Sequence, residues 1–412
     1  MKESDTKLNR SLKFFDIYLI SLGYIIGAGI FILIGSTTKY AGKYVWISFL
    51  IAGLMSILNG LTYCDLSTIF KKSGGEFDYI SSTLGEKCAI FVSLLIILIS
   101  VFTATTVSLA LSNHISKFVK INSQILAILL ILFFGFINII GVKTASIFNS
   151  FAAIIEISAL LAIIFGGLPN IKMTDAFSLP TNFNGILFGS LIAMFAYTGF
   201  ETTVKLTEEA INPNEDIPKA LISSIITSII LYVLIAIVIS GVIKNPKTIA
   251  NSTAPLIDVS QLIYGDKCKY IFSIIALFSI SNTGLLSILG SSRMLYGMSE
   301  KYTNINFLRY VNDYTKTPVL SILLISILSI LAVSIKNVDK TATITSYIFF
   351  MILILVNISL IKIYLERKHE EQLKESYAWN INKYFPVLPT LSLLINVFML
   401  GYFFFTPSFR QH

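Results

Sequence analysis

Long apolar segments separated by short polar stretches recur along the whole chain. Each is long enough to form a helix that crosses a bilayer, which needs about 20 residues. The pattern predicts eleven such segments, numbered here as spans 1 to 11: 14–37, 44–70, 88–116, 123–142, 144–167, 184–204, 218–243, 270–298, 317–335, 341–364 and 385–405. The chain is therefore predicted to be an all-α polytopic protein of the lipid bilayer.

Composition and charge agree with this prediction. Of the 412 residues, 55% are hydrophobic and 13% are charged, whereas about 25% of residues in a soluble domain are charged. The polar N-terminal residues lead directly into span 1, so no cleavable signal peptide is predicted. If the N-terminus is cytoplasmic, a majority of the lysines and arginines lie inside, as the positive-inside rule requires. The odd number of spans then places the C-terminus outside, in a membrane that the sequence does not specify.

Several classes of function lack the residues that they need. The net charge of +8 does not indicate a nucleic-acid partner, because the basic residues form no clustered patch on a soluble domain. The three cysteines and three histidines lack the spacing of a zinc site. The glycines of "GAGIF" have neither the lysine nor the strand of a phosphate-binding loop. We expect no enzymatic activity, no certain metal site and no cofactor.

Spans 1 and 6 each contain an interruption of the helical pattern, at "YIIGAGIFILIG" (24–35) and "FAYTGFE" (195–201). Interrupted spans in corresponding positions of two halves are typical of inverted-repeat transporters, which bind substrate at the midplane. Counting five spans from each interruption gives repeats at 14–167 and 184–364, a 5+5 fold with span 11 (385–405) appended. The alternative is that small residues only allow close packing of helices.

An unwound segment in a membrane must pair its freed backbone groups with something polar. The N–H groups that follow Gly27 carry the positive end of a helix dipole and suit a carboxylate. The carbonyl groups that end the preceding half-helix suit an ammonium group. A small zwitterion would therefore satisfy both ends of such an interruption.

Seven segments, in this order, resemble the amino acid permeases of the amino acid-polyamine-organocation superfamily, and the resemblance covers nearly the whole chain. They are "GYIIGAGIF", "SGGEFDYISSTLG", "GVKTASIFNSF", "FAYTGFET", "EEAINPNEDIPKAL", "GSSRMLYGMSE" and "YFPVLPTLSLLINVFML". The stretch before span 7, Glu208 to Leu221, is the most specific of them. Relatives usually have twelve spans, whereas eleven are predicted here.

The resemblance implies a substrate site at the two interruptions. The substrate carboxylate would bind backbone N–H groups, and its α-amino group would face carbonyl groups. The positions that match are Gly27, Ala28 and Gly29 for the carboxylate, and Ile25, Phe195 and Thr198 for the amino group. The Phe195 ring matches an aromatic side chain that closes over the substrate, although a core aromatic residue is the alternative.

Two acidic residues are candidates for coupling and gating. Glu156 stands in span 5 where many relatives carry a lysine in a cation site, so the sign of the charge is reversed. Desolvation favours its neutral form, which suits a proton carrier. Alternatives are Na+ bound with help from Ser281, Asn282 and Thr283 of span 8, or a neutral carboxyl bonded to a backbone carbonyl. Glu201 matches an acidic position near the inner gate, or pairs with Lys205 one helical turn away.

The sequence therefore predicts a secondary active amino acid transporter with alternating access, driven by H+ in preference to Na+. Its pocket is assigned to Ile96, Thr103 and Leu285, whose mostly apolar character favours neutral substrates. One alternative is an exchanger of polyamines or cationic amino acids, and another is a sensor that binds an amino acid without moving it. A disulfide-linked glycoprotein partner is not expected, because the loop between spans 3 and 4 has no cysteine.

Overall fold

The computed structural model describes most of the chain. The described residues are 10, 12–71, 74–116, 120–140, 142–171, 183–243, 246–252, 254–312, 314–315, 317–366, 371, 374, 378–382 and 386–405. Within them the protein is helical, and its only β-type pairing is an isolated parallel bridge between Leu12 and Ala210.

Sixteen α-helices are found in the described part of the chain. In order they are α1 Phe14–Ile26, α2 Ala28–Ala41, α3 Val45–Ile69, α4 Glu76–Thr83, α5 Glu86–Ile115, α6 Ser123–Ile140, α7 Val142–Gly167, α8 Phe183–Met194, α9 Pro213–Val242, α10 Pro246–Ala250, α11 Pro255–Tyr264, α12 Cys268–Lys301, α13 Val319–Ala332, α14 Val338–Leu365, α15 Trp379–Asn382 and α16 Val387–Phe405. Short 3₁₀ helices at Phe195–Tyr197 and Phe200–Leu206 continue α8.

The helices overlap all eleven predicted spans. Eight helical stretches of the described chain are long and apolar enough to cross a membrane, the first of which joins α1, α2 and α3. Shorter apolar helices cover spans 9 and 11. The prediction of an all-helical, multi-pass membrane protein is confirmed, while the count of eleven spans, the repeats and their boundaries stay predictions.

The helices pack into one body around α3 and α5. Helix α3 lies along α9 and α8, and α5 lies against α12 and α14. The outer helices α6 and α7 present large apolar side chains such as Phe133, Phe136 and Phe165, each more than half exposed. Apolar exposure of this kind fits a surface that faces lipid tails.

The last helix, α16, is held to the body by buried amide groups. The Asn59 Oδ1 atom in α3 accepts hydrogen bonds from Asn357 (2.9 Å), Asn396 (2.8 Å) and Ser392 (2.9 Å). Asn396 and Ser392 belong to α16, and Asn357 belongs to α14. Asn59 is thus an interhelical hydrogen-bond partner, and span 11 packs closely against α3 and α14 although it lies outside the predicted repeats.

Candidate functional site

The first interruption is a single residue, Gly27, between α1 and α2. Its backbone angles, φ −32° and ψ −148°, leave the helical region and separate the two helices. The N–H group of Ala28, which begins α2, donates a hydrogen bond to Thr283 Oγ1 at 2.7 Å. The structure thus contains the predicted gap in span 1, and the polar partner of the freed N–H group comes from α12.

The second interruption follows Phe195–Tyr197 in span 6. Thr198 is extended, with φ −61° and ψ 143°, and Gly199 is left-handed, with φ 117°. A Cβ atom at Gly199 would lie 2.6 Å from the Tyr24 carbonyl oxygen. Only glycine combines this conformation with so close an approach to another backbone. The Thr198–Gly199 pair therefore marks the end of the helical stretch that includes Phe195–Tyr197.

The two interruptions are in direct contact. A Cβ atom at Gly29 would lie 2.5 Å from the Ala196 Cα atom, so the backbones of α2 and of the second interruption touch. The Tyr232 hydroxyl of α9 donates to the Ile25 carbonyl at 2.8 Å and lies 3.1 Å from the Ala196 carbonyl oxygen. One side chain therefore bridges both interruptions, and this is the closed form of the site.

The carbonyl groups expected to face a substrate ammonium have intramolecular partners in this form. The Ile25 carbonyl accepts from Tyr232, and the Phe195 carbonyl accepts from Thr198 Oγ1 at 2.7 Å. The Phe195 side chain is buried beside them, with 3% of its surface exposed. Of the glycine motif in span 1, Gly29 meets Ala196 of the second interrupted helix, whereas Gly27 and Ala28 meet Thr283 of α12.

Glu156 lies inside the protein on α7 and is fully buried. The Ser279 side chain of α12 lies beside its carboxyl group, although neither carboxyl oxygen makes a hydrogen bond of normal length and angle within the described residues. A buried carboxyl group without a strong partner is costly. Ser279 and Thr283 share one face of α12, since they are one turn apart. The α12 residue beside Glu156 is thus Ser279, and Thr283 reaches the first interruption.

The other two residues predicted to help bind Na+, Ser281 and Asn282, differ in their burial on α12. Asn282 is buried, whereas Ser281 is half-buried. Neither Ser279 nor Tyr232 is marked by the sequence, because a hydroxyl in an apolar span is common and its neighbours depend on packing. The Asn138 side chain of α6 donates a hydrogen bond to the Leu285 carbonyl of α12 at 3.1 Å.

Glu201 caps the second interruption. Its Oε2 atom accepts from the Gly199 N–H group at 2.8 Å, while Lys205 lies 3.5 Å from Glu76. The alternative pairing of Glu201 with Lys205 required an α-helix, but Phe200–Leu206 is a 3₁₀ helix with three residues per turn. Residues four apart do not line up in a 3₁₀ helix, so Lys205 makes its closer contact with Glu76 of α4, although Lys205 and Glu201 still interact electrostatically.

Polar contacts join separate elements on both sides of the interruptions. On the side where α1 begins and α3 ends, Glu76 accepts from the Tyr63 hydroxyl at 3.1 Å and pairs with Lys205. On the side where α2 ends, the Ser36 hydroxyl donates to the Asp339 carboxylate of α14. These contacts tie α4 to the 3₁₀ helix Phe200–Leu206 on one side and α2 to α14 on the other.

The fold and the site define a multi-pass helical membrane carrier, with two discontinuous helices whose interruptions meet inside the protein. The sequence pattern of the family described as "Amino acid permease" matches residues 12–411. The chain belongs to this amino acid permease family, which confirms the resemblance.

The relatives of this chain are named as transporters of different small solutes. The chain is 25% identical to the branched-chain amino acid permease BcaP of Bacillus subtilis, over 96% of this chain and 88% of the relative. It is 26% identical to the methylthioribose transporter of the same organism, over 93% and 86% of the two chains. It is 24% identical to the vacuolar cationic amino acid transporter 8 of Arabidopsis thaliana, over 87% of this chain and 64% of that one.

Proposed function

We propose that this protein is a secondary active amino acid transporter that works by alternating access. The observation that carries the proposal is the direct contact between two interrupted helices, one carbonyl group of each of which, at Ile25 and Ala196, is within hydrogen-bond distance of the Tyr232 hydroxyl. An amino acid offers a carboxylate and an ammonium group at a fixed separation, so it can replace the intramolecular partners of those groups. The family and the relatives support a small amino acid as substrate.

The N–H groups of Gly27, Ala28 and Gly29 are proposed to bind the substrate carboxylate, as helix N-termini bind anions. The carbonyl groups of Ile25 and Phe195, together with Thr198, would bind the ammonium group. Because the two interruptions touch in the closed form, substrate entry requires them to separate. Phe195 would then close over the bound substrate.

Glu156 is proposed to carry the coupling proton. It is buried, and no cationic side chain of the described residues forms an ion pair with it. Burial of a neutral carboxyl group costs less free energy than burial of a carboxylate. Glu156 can therefore hold a proton while it is buried and lose it when the site is exposed to water. A proton fits better than Na+, because the Thr283 hydroxyl is directed at Ala28 and its oxygen is engaged there. Glu201 is proposed to act in gating, since its carboxylate caps the second interruption.

A second candidate is an exchanger of cationic amino acids or polyamines. Two acidic groups near the interruptions, the buried Glu156 and the half-buried Glu201, would favour a positively charged solute. Cationic amino acid transporters are among the relatives, although the chain spans 64% and 56% of the length of two of them. A substrate panel that contains both leucine and arginine separates this candidate from a neutral carrier.

The orientation in the membrane is also a proposal. The positive-inside rule places the N-terminus in the cytoplasm, so the pair between Lys205 and Glu76 would lie on the cytoplasmic side and the contact between Ser36 and Asp339 on the outer side. Labelling of single cysteines introduced at Lys39 and Lys374 with a membrane-impermeant reagent tests this arrangement. The nine proposed spans between these positions place them on opposite sides of the membrane, so labelling of both from the same side would indicate an even number of crossings and contradict the arrangement.

Uptake into proteoliposomes tests the transport proposal. The native protein is compared with Glu156→Gln and with Glu215→Gln, a control whose side chain is 72% exposed. We expect the native protein and the control to accumulate an amino acid when the outside is acidic. Glu156→Gln should lose this accumulation but still exchange internal for external substrate, because exchange needs no net proton movement.

Three results would change the proposal. Accumulation by Glu156→Gln at the native level would show that Glu156 does not carry the proton. Accumulation driven only by a sodium gradient would favour Na+ as the coupling ion. If amino acids raise the melting temperature of the native protein but are not moved, the protein is a sensor.

A further inference from the structure

The Thr283 hydroxyl lies inside the region where the substrate carboxylate is proposed to bind. Its Oγ1 atom accepts the Ala28 N–H group at 2.7 Å. A Cβ atom at Gly27 would collide with the same oxygen, so glycine at this position is what allows the hydroxyl to reach the backbone. Thr283 thus makes the hydrogen bond that a bound carboxylate would make.

The Thr283 hydroxyl has another possible partner on its own helix. The Ser279 carbonyl oxygen lies 3.4 Å away, which is longer than a normal hydrogen bond between two oxygens. Threonine side chains in helices commonly donate to the carbonyl one turn earlier. A small rotation of the side chain would shorten this contact and release the Ala28 N–H group.

We propose that Thr283 is an internal competitor for the substrate carboxylate, which it mimics at the Ala28 N–H group in the closed protein. The inference rests on the proposed function, because it assumes that an amino acid carboxylate binds at the first interruption. A buried N–H group must have a partner, and the hydroxyl supplies one whenever the substrate does not.

The competition sets the affinity of the site. A hydrogen bond to an ionised acceptor is roughly twice as strong as one between neutral groups, so a carboxylate displaces the hydroxyl. The apparent affinity for the substrate is nevertheless reduced, because only the fraction of molecules in which the Ala28 N–H group is released can bind the carboxylate. A site with weakened affinity releases its substrate more easily, which suits a carrier that must release the substrate on the opposite side of the membrane.

The same arrangement links the substrate to Glu156. When a carboxylate displaces the hydroxyl, Thr283 turns towards the Ser279 carbonyl, and Ser279 lies beside the Glu156 carboxyl. Substrate binding therefore changes the polar surroundings of the proposed proton carrier through one turn of α12.

Binding measurements on the purified full-length protein test the inference. Dissociation constants are measured for labelled L-leucine and L-arginine with the native protein, Thr283→Ala, Thr283→Val and Thr283→Ser. The same series is run with 3-methylbutylamine and agmatine, the corresponding amines that lack the carboxylate. Thr283→Ser keeps the hydroxyl and is the matched control.

We expect Thr283→Ala and Thr283→Val to lower the dissociation constant of the amino acid by roughly 2- to 10-fold, the factor that one net hydrogen bond contributes. Thr283→Ser should bind as the native protein does, and the affinities for the amines should not change. If the two variants do not fold, Thr283→Cys takes their place, because a thiol is a weaker acceptor, and its dissociation constant should also fall.

An unchanged or raised dissociation constant in the variants, with normal binding to the native protein, would overturn this inference alone. A gain in affinity for the amines as large as the gain for the amino acids would also overturn it, since the effect would then not concern the carboxylate. Failure of the native protein to bind any amino acid would overturn the proposed function together with the inference.

Discussion

The two interruptions differ in where their freed backbone groups find partners. At the first, the Ile25 carbonyl and the Ala28 N–H group depend on Tyr232 and Thr283, which are 207 and 255 residues away in sequence. At the second, Thr198 bonds to Phe195 and Glu201 bonds to Gly199, within three residues. The second is therefore largely determined by its own segment, whereas the first requires α9 and α12 to be in place.

This difference indicates which interruption responds to movement. Contacts within a few residues persist when helices shift, because both partners move together. Contacts between α2 and α12, or between α1 and α9, break when these helices separate. If the protein opens as proposed, the freed groups of the first interruption would become available to a ligand, while most of those at the second would keep their local partners.

The largest expected effect comes from filling the contact between the interruptions. In Gly29→Ala the new Cβ atom would lie 2.5 Å from the Ala196 Cα atom and 2.8 Å from its Cβ atom. Backbone atoms cannot move aside as a side chain can, and overpacking costs about 1–3 kcal/mol. We expect loss of amino acid uptake in proteoliposomes and a lower apparent melting temperature.

Gly290→Ala is the control for that substitution. Gly290 lies on α12, and a Cβ atom there would meet nothing within 4 Å. Because alanine has a better helix propensity than glycine, uptake and melting temperature should be retained. If Gly29→Ala behaves like Gly290→Ala, the close contact between the two interruptions is absent in solution.

Removal of the bridging hydroxyl should have the next largest effect. Tyr232→Phe keeps the ring but leaves the Ile25 carbonyl without the hydrogen bond that it accepts at 2.8 Å. An unsatisfied buried acceptor costs about 1–3 kcal/mol, so the closed form should become less stable. The apparent melting temperature without substrate reports this loss.

Thr198→Ala tests whether the backbone groups of the second interruption are satisfied by partners within the same segment. The Phe195 carbonyl would keep a contact with the Thr198 N–H group, which lies 3.2 Å away. We therefore expect Thr198→Ala to lower the melting temperature less than Tyr232→Phe does. Equal losses in the two variants would contradict the view that the second interruption is satisfied locally and the first is not.

The sequence was sufficient to locate the interruptions but not the partners of their backbone groups. Glycine at 27 and the pair Thr198–Gly199 are local signals, and the structure interrupts the helices at both. Tyr232 gave no local signal, and Thr283 was predicted as a cation ligand and not as the partner of the Ala28 N–H group, because a hydroxyl in an apolar helix becomes informative only when the facing helix is known. The pairing of Lys205 with Glu76 was missed for a related reason: it depends on a 3₁₀ helix, which the pattern of apolar residues does not distinguish from an α-helix.

The smallest expected effect separates charge from hydrogen bonding at the second interruption. In Glu201→Gln the amide oxygen can still accept from the Gly199 N–H group, so the melting temperature should change by less than the equivalent of about 0.5 kcal/mol. Glu201→Ala removes the acceptor and should cost about 1 kcal/mol or more. If Glu201→Gln keeps its stability but loses uptake, the negative charge itself has a role in gating. If both stability and uptake are kept, Glu201 acts only as a local cap, and the second interruption is then a preformed element against which the first one opens.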